Sequence, residues 1–127
     1  MNSEKKITPD QLRAMNTASL SRTIMWHGKA ISVRTLLPIH EVSLFVNSVM
    51  SACYDVEHEV IIPEMMDFAY RVNVVSRYAC VELPDDIEEQ YVLLYNTDIY
   101  DTIIAAVNTA QLQSIEKTIG ILIRFKG

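Results

Sequence analysis

The spacing of apolar residues changes period along this chain, and each change marks an element. In "TIMWHGKAISVR" apolar and polar positions alternate about the pair His27–Gly28, the layout of a two-residue hairpin in which glycine supplies the positive φ of a primed turn. That register sets Met25 against Ala30 and Ile24 against Ile31, so Ile24, Trp26, Ile31 and Val33 share one face. A two-stranded ribbon is marginal alone in water, and this face needs a partner. From Ile39 the period switches. Ile39, Val42, Phe45, Val46, Val49 and Cys53 recur at three and four residues, which makes an amphipathic helix and the expected partner of the hairpin.

Behind the acidic link "DVEHEV" a second long helix is predicted from about Pro63 to Ala79, with Met65, Phe68, Ala69, Val72, Val75 and Ala79 inward. A short helix from Asp86 to about Tyr95 turns in Ile87, Tyr91 and Leu94. "NTDIYDTIIAAVN" reads as a fourth, starting at Thr97 or Asp98, and "TAQLQSIEKTIGILIRF" as a fifth that aligns Leu112, Ile115, Ile119 and Leu122; one bent helix through both is the alternative. Pro9, Pro38, Pro63 and Pro84 are each followed within three residues by an acid, a helix-start signature, because proline fits the first turn and negative charge is favoured there. "TPDQ" adds capping-box spacing from Thr8 to Gln11, and "LRAMNTASLS" behind it suits a short helix ending in a mobile arm.

The expected fold class is mainly α with an N-terminal β-hairpin (α+β), the hairpin packed on about four to five helices. Residues 1–22 form an arm with a short helix and 23–127 a single hairpin-plus-helices domain. Trp26, Phe45, Val49, Phe68, Val72, Tyr91 and Leu122 are expected to be largely buried.

Composition agrees with one compact domain, since 127 residues at 50% hydrophobic content bury a core without disulfides or metal. No apolar run approaches the roughly 18 residues of a membrane span, and no hydrophobic segment follows the N-terminal lysines, so a protein working inside a cell is expected. Cys53 and Cys80 read as free buried thiols. The formal charge of -5 argues against nucleic-acid binding. Its distribution says more: Asp55 to Asp101 holds 12 acids and two bases, while the remainder holds four acids and nine bases. Solvated faces account for such polarity, as do unlike patches meeting between neighbouring copies.

Candidate chemistry is sparse. Gly28, Gly120 and Gly127 are scattered, which excludes the glycine-rich loops that cradle phosphates. Cys53, His58 and Glu59 are the best metal candidates but lack a second ligand pair, so neither metal nor other cofactor is expected. His27, His40 and His58 have no nucleophile or orienting acid in a recognised arrangement, and no catalytic residue is assigned. Asp85, Asp86, Glu88 and Glu89 follow Pro84, where the N-terminal turn of a helix explains them without a ligand. Tyr91, Tyr95 and Tyr100 suit core or interface packing better than base stacking in acidic surroundings. Trp26, His27 and Lys29 on the open-edged hairpin, with the four acids after Pro84, are the candidate interaction residues.

The order Trp26-His27-Gly28-Lys29, Pro38, Phe45-Val46, Ser48-Val49, Pro63-Glu64, Asp67-Phe68-Ala69, Tyr78-Ala79, Leu83-Pro84, Tyr91, Tyr95-Asn96-Thr97-Asp98 and Gln111-Leu112 resembles short acidic proteins from the head and tail gene cluster of tailed phages of Gram-positive bacteria. The likeness covers about Ile24 to Phe125 and leaves the arm outside it. Its nearest described type is the tail assembly chaperone. The resemblance implies a non-enzymatic structural or virion-assembly protein. Its partners would be further copies or other phage proteins, with no nucleic acid or membrane, in the host cytoplasm or the virion. The alternative, from a different class, is a phage-encoded inhibitor of a host defence system or host enzyme, presenting carboxylates where phosphates would lie.

Overall fold

A computed structural model describes residues 5–126, the side chain of Lys126 excepted. The first four residues of the expected arm and Gly127 lie outside the described residues. The chain runs α1 (Pro9–Met15), β1 (Ser21–Trp26), β2 (Lys29–Arg34), α2 (Ile39–Cys53), β3 (Tyr54–Asp55), β4 (Val60–Ile61), α3 (Pro63–Tyr78), α4 (Ile87–Asn96), α5 (Ile99–Ile104) and α6 (Thr109–Lys126). It is a mainly α, α+β fold with an N-terminal hairpin.

Punctuation by proline and acid holds at the four predicted starts. Pro9 and Pro63 open α1 and α3, Pro38 is the N-cap of α2, and Pro84 precedes the Asp86 N-cap of α4. At α1 the Thr8 side chain accepts from Gln11 N–H while Gln11 reaches back to Thr8 N–H, a complete capping box. The hairpin has the expected register, Ile24 to Ile31 and Met25 to Ala30, about a turn in which His27 and Gly28 have φ of 49° and 76°. Ile31 and Val33 are buried, and Ile24 and Trp26 half-buried.

The hairpin has a further partner beyond the expected one. The hairpin is tied to the end of α3 and the strap behind it, as well as to α2 through Arg34 and Glu41. Val33 forms an isolated antiparallel bridge with Ala79, and Cys80 N–H donates to the Ser32 carbonyl at 2.9 Å. Ala79 and Cys80 therefore cover the outer edge of β2, a use of extended backbone after a helix that side-chain periodicity does not reveal. Because the Ser32 carbonyl points away from β1, its register partner Thr23, and Met25 two residues on, direct their backbone groups out of the other edge. None of the described residues bonds to Thr23 or Met25 on that side.

Buried residues form one core: Ile31, Val33 and Leu37 from the hairpin side, Phe45, Val46 and Val49 from α2, Phe68, Ala69, Tyr70, Val74, Val75 and Tyr78 from α3, with Leu94, Ile99, Ile103, Ile115 and Ile119 beyond. Of the seven residues expected in it, Phe45, Val49 and Phe68 are buried and Trp26, Val72 and Leu122 half-buried. Tyr91 is a correction, at 49% exposed, and Ile87 with it at 60%. The buried line of α4 passes through Gln90 and Leu94, turning the helix so that Ile87 and Tyr91 face outward. Cys53 is a buried free thiol as expected, but Cys80 is exposed, because the strap lies across the hairpin edge instead of under it. The acidic link is a second small hairpin, β3 with β4, turned at Glu59 with φ of 54°.

A break at Ala105–Asn108 makes α5 and α6 separate helices. Asn108 caps α6 by accepting from Gln111 N–H at 2.9 Å, and its own N–H donates to the Thr35 carbonyl at 2.8 Å. The Gln111 amide then joins three segments: its oxygen accepts from Leu37 N–H at 2.8 Å and from the Tyr78 hydroxyl at 2.6 Å, while its nitrogen donates to the Leu37 carbonyl at 3.0 Å.

Two outcomes are expected. Phe45, fully buried between helices, should lose about 3 to 5 kcal/mol of folding stability on substitution by alanine, read from urea unfolding. Burial pushes the Tyr78 phenol from 10.0 up to about 12, with Arg34 pulling it back. A folded-state pKa above the unfolded one contributes stability that is complete below pH 10.0 and lost as pH rises toward about 12. Stability should therefore fall across that window in circular dichroism, and Tyr78→Phe should flatten the fall while costing about 1 kcal/mol at neutral pH.

Candidate interaction surface

α4 touches the body along a single line, and that is what makes it a surface. Only Leu94 is buried in its ten residues, and the half-buried Gln90 donates its amide to the Pro84 carbonyl at 2.7 Å. Ile87, Tyr91, Val92, Leu93 and Tyr95 stay open to solvent. Ile87, Tyr91 and Tyr95 follow one another at four-residue steps along one side.

The stripe continues onto α3 and α5 as an aromatic cluster. Tyr91 stacks on Tyr95 with ring centres 4.6 Å apart and meets Phe68 edge-on at 5.7 Å. The Arg71 guanidinium lies 4.4 Å from the centre of the Tyr95 ring and 4.5 Å from that of Tyr100. Asp67 holds this group from the side, accepting from Arg71 Nε at 3.1 Å and from the Tyr95 hydroxyl. Burial and the Asp67 carboxylate push the Tyr95 phenol up to about 12, so it is a neutral donor at physiological pH. Burial alone would lower the Arg71 pKa, but the hydrogen bond and charge of Asp67 raise it overall. Tyrosine and arginine at the margin of an apolar stripe are the residue types that dominate protein contacts.

At the N-terminal end of α4 stand Asp85, Asp86, Glu88 and Glu89, all exposed. Asp86 accepts from Glu89 N–H at 3.0 Å and caps the helix. Asp85, Glu88 and Glu89 form no ion pair among the described residues. Trp26, His27 and Lys29 lie at the other end. Trp26 Nε1 donates to Asp98 Oδ1 at 2.7 Å, His27 Nε2 is 3.9 Å from the same oxygen, and Asp98 follows the C-cap of α4. Lys29 borders a shallow cleft with Cys80, Val81 and Ile99. The two expected groups are thus brought to opposite ends of one helix, about 15 Å apart along its axis, and not into one cluster.

Sequence reasoning missed Asp98 as the anchor of Trp26, because a contact across 72 residues leaves no local signal. It also missed Arg71 as the plate between two tyrosine rings. The metal candidates do not converge: Cys53 is buried, His58 Nδ1 is 2.8 Å from Asp55 Oδ2, and no three metal-ligating side chains come together among the described residues. Among these residues no helix is long and apolar enough to cross a membrane.

No family model, curated protein or solved structure matches this chain.

Arg71→Met, which removes both ring contacts and the Asp67 pair, should lower stability by about 1 to 2 kcal/mol. Urea unfolding checks this, and Arg71→Lys should restore less than half, since a compact ammonium does not cover two rings.

Proposed function

We propose that this chain is a non-enzymatic structural or virion-assembly protein of a tailed phage that acts through protein-protein contacts, its copies joining head to tail. The observation that carries the reading is the uncovered apolar stripe of α4 with its unpaired acids, together with a second uncovered helix, α1, that two lysines precede. None of the residues of α1 is buried. Leu12 and Met15 are exposed there and Ile7 just before it; Lys5 and Lys6 precede the helix, while Arg13 is paired with Asp10 at 2.6 Å. A short exposed helix led by two lysines and an acidic apolar helix face on one chain are complementary in both charge and chemistry.

In this arrangement α1 of one copy lies on α4 of the next, its leucine and methionine against Tyr91 and Val92, with Lys5 and Lys6 ahead of it toward Glu88 and Glu89. The contact is small, so each one is weak and salt-sensitive. The patch that gives differs from the patch that receives, so the interface is heterologous and a second copy does not exhaust it. The open edge of β1 favours a second mode, strand pairing between two copies, which is symmetric. Sedimentation separates these modes.

The wild type should associate at low salt and dissociate at high salt. Deletion of residues 1–16 should leave monomers, as should Tyr91→Ser combined with Val92→Ser. A mixture of the two variants should form dimers and stop, because each keeps the half that the other lacks. Association that survives both changes would point to β1 pairing. A wild type that stays monomeric at every concentration would end the self-assembly reading, and copurification with a basic host protein would then favour the inhibitor.

A further inference from the structure

Between α3 and α6 lies a cavity of ≈ 240 Å³ lined by Met66 and Tyr70 on one side and by Glu116, Ile119, Gly120 and Ile123 on the other. Three features distinguish it from a packing fault. Tyr70 is only 8% exposed, and its buried hydroxyl has no hydrogen-bond partner among the described residues. Buried hydroxyls are ordinarily paired, since leaving one unpaired costs stability. Glu116 forms no ion pair among the described residues, and Asp67, also on the rim, is already engaged by Arg71 and Tyr95. Gly120 sits inside an 18-residue helix, where glycine is the weakest helix former after proline. A Cβ there would meet nothing within 4 Å, so no close approach requires the glycine. It keeps the hollow open.

Burial drives the Tyr70 phenol far above its ordinary range, with the nearby Glu116 carboxylate adding to it, so the hydroxyl is neutral and keeps oxygen lone pairs for an incoming donor. The apolar walls from Met66, Ile119 and Ile123 accept a hydrocarbon body, and methionine adapts to its shape. We propose that this cavity is a binding site for a small organic cation, whose ring or alkyl body fills the hollow while its ammonium or amidinium group donates to Glu116 and to the Tyr70 hydroxyl oxygen. An anion of the same shape meets a carboxylate, and a neutral alcohol forgoes the charge-assisted bond. The cavity is smaller than the roughly 300 to 1,000 Å³ of most ligand sites, which restricts the occupant to a single ring or its equivalent. This site is independent of the assembly contacts on α4.

The probes are benzylamine and benzamidine, compared with benzyl alcohol and benzoate, titrated into the full chain and followed by the methyl NMR signals of Ile119 and Ile123. Both cations should bind with a dissociation constant on the order of 1 mM, and benzoate should not bind. Glu116→Gln should weaken the cations roughly tenfold. Tyr70→Phe, which removes the acceptor oxygen, should weaken them while the chain stays folded by circular dichroism. Gly120→Leu, whose side chain enters open space, should abolish binding while the chain stays folded by circular dichroism. Benzyl alcohol binding as tightly as benzylamine, Glu116→Gln binding unchanged, or no shift with either cation would overturn the proposal.

Discussion

The fold depends on how α3 is buried. α2, α4 and α5 all lean on this one helix, and α6 meets it through Tyr70 and Gln111. A helix covered on so many sides buries polar groups as well as apolar ones, and each needs a partner. Asn73, 4% exposed, donates to the Ala69 carbonyl at 2.8 Å and to Ser48 Oγ at 3.2 Å, while its oxygen accepts from Arg77 Nε at 2.7 Å. The Arg77 carbonyl in turn accepts from Arg34 Nη2 at 2.5 Å, and Arg34 grips Glu41 with two bonds of 2.7 and 2.8 Å. This polar seam runs from the middle of α2 along α3 to the hairpin and back to the first turn of α2. It aligns the hairpin with the helices in a way that apolar contact, which has no direction, does not. The Arg34 hydrogen bond holds the Glu41 carboxyl below its ordinary range, so the pair remains ionised through mild acid.

Local rules made most of the elements legible in the sequence. The turn at His27–Gly28 needs positive φ and glycine advertises it, so the strand register followed down to individual pairs. Proline and acid together located four helix starts, because both preferences act within one turn. Failures occurred where two readings of the same residues differ only in tertiary context. Ile87, Tyr91 and Leu94 form as good a stripe as Gln90 and Leu94 do. The Gln90 amide bond to the Pro84 carbonyl favours the second. The Ala79–Cys80 strap is recognised by its backbone and carries no side-chain pattern at all. Of the candidate site, the residue types were legible and their grouping was not: α4 separates the hairpin tip from the acids.

That misjudged rotation is also what creates the functional surface. Had Tyr91 packed inward, α4 would present only carboxylates to solvent, as a capped and solvated helix does. With Tyr91 and Val92 outward, the same acids rim an apolar strip, and the aromatic cluster behind it is stiffened by Arg71 between two rings. Rigid aromatic side chains lose little freedom when a partner covers them, which lowers the cost of binding. The surface is thus fixed in shape before any partner arrives.

The position of α1 gives this surface a direction. Thr35 N–H donates to the Leu20 carbonyl and the Thr35 hydroxyl to the Ser19 carbonyl, so the chain is anchored at the base of the hairpin from Ser19 onward. Only Asn16, Thr17 and Ala18 lie between that anchor and α1, a reach of about 10 Å. From the base, β1 extends about 17 to 20 Å to its tip, where Trp26 meets Asp98 at the end of α4. The arm therefore leaves the end of the hairpin opposite the one at which α4 finishes. Under the proposed head-to-tail contact, which does not close on two copies, chain length would be set by concentration, salt and whatever caps the last free stripe.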